Sequence, residues 1–217
     1  MTRTIAVAAF AALTTLSASA APVAWADWLS GTTGASGSAS GIITANETVN
    51  VSYTGEIAFI NTLPSQTNYF IPSAPYISAT VDNAPAQPDM IALSRTGRKT
   101  LSFDKPVSNL LFAVVSLNGN GYTFDQDFEI LSTGAGFWGN GSLAKVDLGN
   151  GQFQLNGSGE PHGVIEFTGT FNSVSWTSQT NEFWNGFNVG IRGVVVPEPT
   201  SLAAFALVPA LLRRRRA

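Results

Sequence analysis

The chain has 217 residues, no cysteine and one histidine, which excludes disulfide staples, thiol nucleophiles, zinc–thiolate sites and a histidine metal triad. The formal charge of −3 understates its acidity: of eleven basic residues, five are Arg3 and the terminal Arg213 to Arg216, leaving six against thirteen of the fourteen acids and a body near −7. That balance excludes nucleic acid and anionic lipid as partners of the body.

Arg3 gives a short positive start and Ile5 to Leu16 is an apolar, alanine-rich run. Ala18-Ser19-Ala20 and Ala24-Trp25-Ala26 both satisfy the small-x-small cleavage rule of a secretory signal. Cleavage is expected after Ala20, with Ala26 the alternative, so residues 1–20 read as a signal helix taken by Sec-type export machinery and signal peptidase. Residues 21–195, about 175 in all, suffice for one domain with a sizeable core.

Trp25 to Gly41 is rich in Gly, Ser and Thr and reads as an opening edge strand and loop. Val49, Val51 and Tyr53 alternate with polar residues, which predicts a half-buried strand, and Gly55 shifts its phase. Five prolines between Thr62 and Pro88 predict a loop with short edge strands at Tyr69 to Ile71 and Tyr76 to Val81. A short strand is expected within Asp89 to Ser94. Lys99 to Phe103 alternates, Pro106 marks a turn, and Leu110 to Leu117 is apolar on both parities, as in a central strand covered on both faces. Asn118-Gly119-Asn120-Gly121 is a turn.

Tyr122 to Ile130 then alternates, with Asp125, Asp127 and Glu129 on one face. Gly134 to Gly141 is a glycine-rich loop holding Phe137 and Trp138. Strands at Leu143 to Leu148 and Gln152 to Leu155 flank an Asn150-Gly151 turn. Gly163 to Phe167, Val174 with Trp176, and Phe187 to Ile191 complete the strands, with an aromatic turn at Glu182 to Gly186. Many short strands without a helical period predict an all-β domain: a single antiparallel β-sandwich, jelly-roll-like, flanked by the signal helix and a short C-terminal apolar helix.

Residues 196–217 differ in kind. Val196, Pro197, Glu198 and Pro199 break regular structure. Residues 201–212 form an apolar segment, and Arg213, Arg214, Arg215 and Arg216 close the chain. As a helix the segment would be about 18 Å long, short of the about 20 residues that span a hydrocarbon core. The arginines would stay cytoplasmic. A short transmembrane helix of this form suits a transient stop during export.

The Pro-Glu-Pro break, apolar run and arginine cluster resemble a PEP-CTERM sorting signal. That resemblance implies processing by a membrane-embedded exosortase, transient inner-membrane association, and delivery to the cell surface or extracellular matrix. In the body, Lys105-Pro106-Val107-Ser108-Asn109, Gly163 to Trp176 and Asn181 to Phe187 are similar to a module recurring in exported proteins of this kind, with no activity attached.

Three readings follow for the body. The leading expectation is a non-enzymatic, secreted protein with a structural or adhesive role in a biofilm or exopolysaccharide. The alternative is a carbohydrate-binding module: Trp138 and Trp184 offer stacking faces, with Glu182 and Asn185 placed to orient hydroxyls, unless the two indoles serve as core or rim packing. Trp176, alternating in a strand, belongs to the core. The remote alternative is an extracellular glycan hydrolase, which needs two carboxylates across a cleft. His162 lacks a Gly-x-Ser-x-Gly elbow and reads as a polar loop residue near a strand start. Asp125, Asp127 and Glu129 form a solvated strand face or, alternatively, a calcium site to which Asp147, Asn150, Glu160 and Glu182 add further oxygens. No other cofactor is expected.

Overall fold

A computed structural model describes residues 22–195. The expected signal segment, the expected sorting motif, Val196 to Pro199 with Arg213 to Arg216, and both expected flanking helices lie outside the described residues. Among the described residues the only helical turn is a 3₁₀ turn at Ala74–Tyr76, and no helix is long and apolar enough to cross a membrane.

The rest is β: β1 (Ala24–Trp25), β2 (Asp27–Thr32), β3 (Gly34–Thr44), β4 (Thr48–Ile57), β5 (Phe59–Asn61), β6 (Met90–Leu93), β7 (Gly97–Val115), β8 (Gly121–Phe124), β9 (Glu129–Gly134), β10 (Gly141–Gly149), β11 (Gln152–Gly159), β12 (His162–Ser178) and β13 (Asn185–Val194). Each pairing is antiparallel, and the sheet closes over one large core in a sandwich-like, all-β fold.

The spine is the β7–β12 pair. Val115 lies opposite His162 at one end and Gly97 opposite Ser178 at the other, with bulges near Gly169 and Phe171. Gly169 takes φ +134°, and Asn109 Oδ1 accepts its N–H at 3.0 Å. Around these bulges β7 changes its other neighbour, from β4 at Thr100–Phe103 to β13 at Val107–Val115.

Pro106 falls in that changeover, where a missing N–H breaks no ladder bond. The expected turn there is therefore absent and β7 runs straight through. Its far half is apolar on both parities because both faces are covered. Leu110, Phe112 and Val114 enter the main core, while Leu111, Ala113 and Val115 enter a smaller one.

The proline-rich segment covers that smaller core with Phe70, Tyr76 and Val81. It forms no strand at Tyr69 to Ile71 or Tyr76 to Val81, a correction to expectation. Side chains do the pairing instead: Asn83 donates to Val23 O at 2.9 Å and accepts from Val23 N at 3.0 Å, as a neighbouring strand would.

Two further expectations are corrected. Residues 25–41 are mostly strand, not loop, because cross-strand hydroxyl pairs replace apolar alternation: Ser30 with Ser40 at 2.9 Å and Thr32 with Ser38 at 3.0 Å. Residues 122–130 are two strands. β8 stops at Phe124, where it pairs β11 and β12, and β9 begins at Glu129 on the other half of β12. Val49, Val51, Tyr53, Val174 and Trp176 are buried as their alternation predicts.

Candidate functional site

At the end of the spine where β7 finishes and β12 and β13 begin, four loops converge. Ser116 leaves β7 with φ 55°, a left-handed conformation that bends the chain sharply. The following Asn118-Gly119 turn brings Asn118 between two carboxylates. Asn118 Nδ2 donates to Glu160 Oε1 at 2.6 Å, and its backbone N–H donates to Glu182 Oε2 at 3.2 Å. Ser116 Oγ donates to the second oxygen of Glu160.

Glu182 is held from behind. Asn120 Nδ2 donates to its Oε1 at 2.8 Å, Asn185 Nδ2 donates to the same oxygen, and Tyr122 donates its hydroxyl to Asn185 Oδ1. Asn120 Oδ1 also accepts the N–H groups of Gln179 (3.2 Å) and Thr180 (2.9 Å), which fixes the loop carrying Glu182. Burial, and then the negative charge of Glu160, push the Glu182 carboxyl above its ordinary value, against the pull of the three donors.

Over these carboxylates stands an aromatic wall. Trp138 from the glycine-rich loop meets Trp184 at 6.0 Å, and Tyr69 stacks on Trp138 at 6.3 Å and abuts Trp184 at 5.0 Å. Phe137 and Phe59 extend the strip on either side. Trp138 is 51% exposed and Phe183 93% exposed. The result is a concave site of about 270 Å³ lined by Ser116, Asn118, Trp138, Glu160, Glu182, Phe183 and Trp184.

No protein-family model, curated protein or solved structure matches this chain. The chemistry of the cavity is therefore read from its own residues.

Of the sequence candidates, Trp138, Glu182 and Trp184 line the cavity together. Asn185 does not line it; it is buried and orients Glu182. Sequence reasoning passed over Ser116, Asn118 and Phe183, and took Glu160 only as a spare oxygen donor. The Asn118-Gly119-Asn120-Gly121 run carried the available signal, since it is a turn whose amides need partners.

The calcium candidates are placed elsewhere. Lys145 pairs with Asp127 at 2.6 Å and Glu129 at 3.0 Å, while Asp125 is exposed in the break after β8. They share no single strand face, because β8 ends before them. Among the described residues no group of three or more His, Asp or Glu is arranged to hold a metal.

His162 is also corrected: it is the first residue of β12 and fully buried. Its Nδ1 lies 2.7 Å from the Tyr76 hydroxyl, and its Nε2 has no hydrogen-bond partner among the described residues. Burial holds its pKa down at about 4, with Glu160 pulling weakly the other way. Gly136 lies flat on the ring: a Cβ there would fall 2.2 Å from the imidazole. His162 thus seats the loop that carries Phe137 and Trp138.

Proposed function

We propose that the chain is a secreted, non-enzymatic protein of the cell surface or extracellular matrix whose β-domain adheres to exopolysaccharide by binding glycan in the Trp138–Trp184 cavity. One observation carries the binding reading: the exposed indole of Trp138 and the half-buried indole of Trp184 stand beside fixed carboxylates and amides in a single concavity. A sugar ring offers an apolar face to stack and hydroxyls to orient, and that combination of wall and polar groups meets both needs.

The delivery reading rests on the two ends of the sequence. A signal peptide over residues 1–20 directs export, and a PEP-CTERM-like tail over residues 196–217 directs processing by an exosortase. Mass spectrometry of the exported protein checks this. Loss of Arg213 to Arg216 is expected, and an intact C-terminus on surface-located protein overturns it. A glycan array probed with and without calcium tests the domain. Retention on polysaccharide that disappears in Trp138→Ala supports the reading, and no retention on any glycan refutes it.

Hydrolysis is a second reading favoured by one feature. Glu160 and Glu182 line the same cavity, and the raised pKa of Glu182 suits a general acid. Release of reducing ends from a bound polysaccharide would replace binding with catalysis.

A further inference from the structure

Glu160 and Glu182 are hydrogen-bonded but not neutralised. Every donor they meet is uncharged: Ser116 and Asn118 on Glu160, and Asn118, Asn120 and Asn185 on Glu182. The ion pairs among the described residues use Glu47, Asp127, Glu129 and Glu166 instead. Among the described residues no Lys, Arg or His lines the cavity. Two carboxylates therefore share a concavity lined by the indoles of Trp138 and Trp184, and carboxylates and indole rings both attract a cation.

We infer that this cavity selects a cationic sugar, an unacetylated 2-amino hexose unit of a polysaccharide. Its ammonium lies against Glu160 and Glu182 and its ring stacks on the indoles. This inference rests on the glycan-binding reading and narrows it. An ammonium brings three donors and no acceptor, and a carboxylate has about four lone-pair sites, so Glu160 with two donors and Glu182 with three each keep acceptor capacity. A uronate would meet like charge in the cavity and across a body near −7. A neutral N-acetylated unit would stack equally well but leave the carboxylates without a counter-ion. A simple amine chain would satisfy the carboxylates but not the aromatic strip, which continues from the cavity through Tyr69 to Phe137.

The test is calorimetric titration of the full chain at about pH 6, where an amine of ordinary pKa near 8 is protonated. Four probes are compared: a glucosamine tetramer, its N-acetylated counterpart, a galacturonate tetramer and tetralysine. The glucosamine tetramer is expected to bind at least about tenfold tighter than each of the others. Raising salt to about 1 M should erase most of that preference while leaving the N-acetylated tetramer unchanged. Glu160→Gln should likewise cut the preference for the glucosamine tetramer, and the salt series needs no variant to fold.

Equal or tighter binding of the N-acetylated or uronate tetramer overturns the inference and leaves glycan binding standing. Equal binding of tetralysine overturns the sugar as ligand. No binding of any tetramer removes both readings.

Discussion

Around Trp176 lie Phe112 and Phe187, each with its ring centre at 5.3 Å, and Tyr53 at 5.9 Å. Around Trp138 lie Phe137 at 5.0 Å, Trp184 at 6.0 Å and Tyr69 at 6.3 Å. Trp176 also meets Tyr122 and Phe124, each at 6.0 Å, and it is 1% exposed where Trp138 is 51% exposed. The difference lies in the backbone that holds each ring. Trp176 alternates on β12 and points into the closed sheet, whereas Trp138 rides on a glycine-rich loop seated on His162. Aromatic packing thus builds an interior in one place and an open, solvent-facing wall in the other.

Substitutions at the two tryptophans should separate these roles. Trp176→Ala leaves a large cavity in the main core, with an expected loss of about 3–5 kcal/mol in urea denaturation. Gly136→Ala forces a methyl against the His162 ring, and the loop must move. A loss of about 1–3 kcal/mol is expected, with weakened glycan binding, although residue 136 does not line the cavity. Trp138→Ala should cost about 1–2 kcal/mol, for its contacts with Tyr69, Phe137 and Trp184, while polysaccharide retention falls. A large stability loss in Trp138→Ala would mean that the two clusters do the same work.

Protonation offers a smaller, graded probe of the loop's seat. His162 has a pKa of about 4 in the folded chain against 6.5 when unfolded. The unfolded state therefore binds the proton more readily between those values. Stability from keeping the ring neutral is present in full above pH 6.5 and is lost as pH falls toward about 4. Glu182 acts with the opposite sign: its raised pKa makes the folded chain less stable as pH rises from 4.5 through the raised value. With one histidine in the chain, a single pair of imidazole C–H resonances reports the first effect without ambiguity. Titration near 6.5 would show that the ring is not sealed.

How far the sequence revealed these two regions follows from the same difference in backbone. Val49, Val51, Tyr53, Val174 and Trp176 alternate, so their strands and burial were legible, and residues 110–117 announced a strand covered on both faces. The hairpin of β2 and β3 was not legible, because Ser–Ser and Thr–Ser pairs leave no apolar period. Pro106 misled because the usual penalty for proline in a strand vanishes where β7 changes partner.

At the site, Trp138 and Trp184 stood out by lying in loops. Ser116, Asn118 and Glu160 did not. Asn118 meets Glu160 from 42 residues away and Glu182 from 64 away, and only the convergence of strand ends makes them neighbours. Asn185 was correctly associated with Glu182 but acts beneath the cavity.

Strand β13 has a mechanical consequence. It runs from Asn185, directly behind the cavity, to Val194, a distance of roughly 30 Å. It is paired to β7 from Gly186 to Val194. A load between a ligand held in the cavity and the chain leaving at Val195 pulls along this strand. Antiparallel ladder bonds lie perpendicular to the strand, so such a load shears them together instead of peeling them one at a time. Tension applied in this direction meets the ladder in its most resistant geometry.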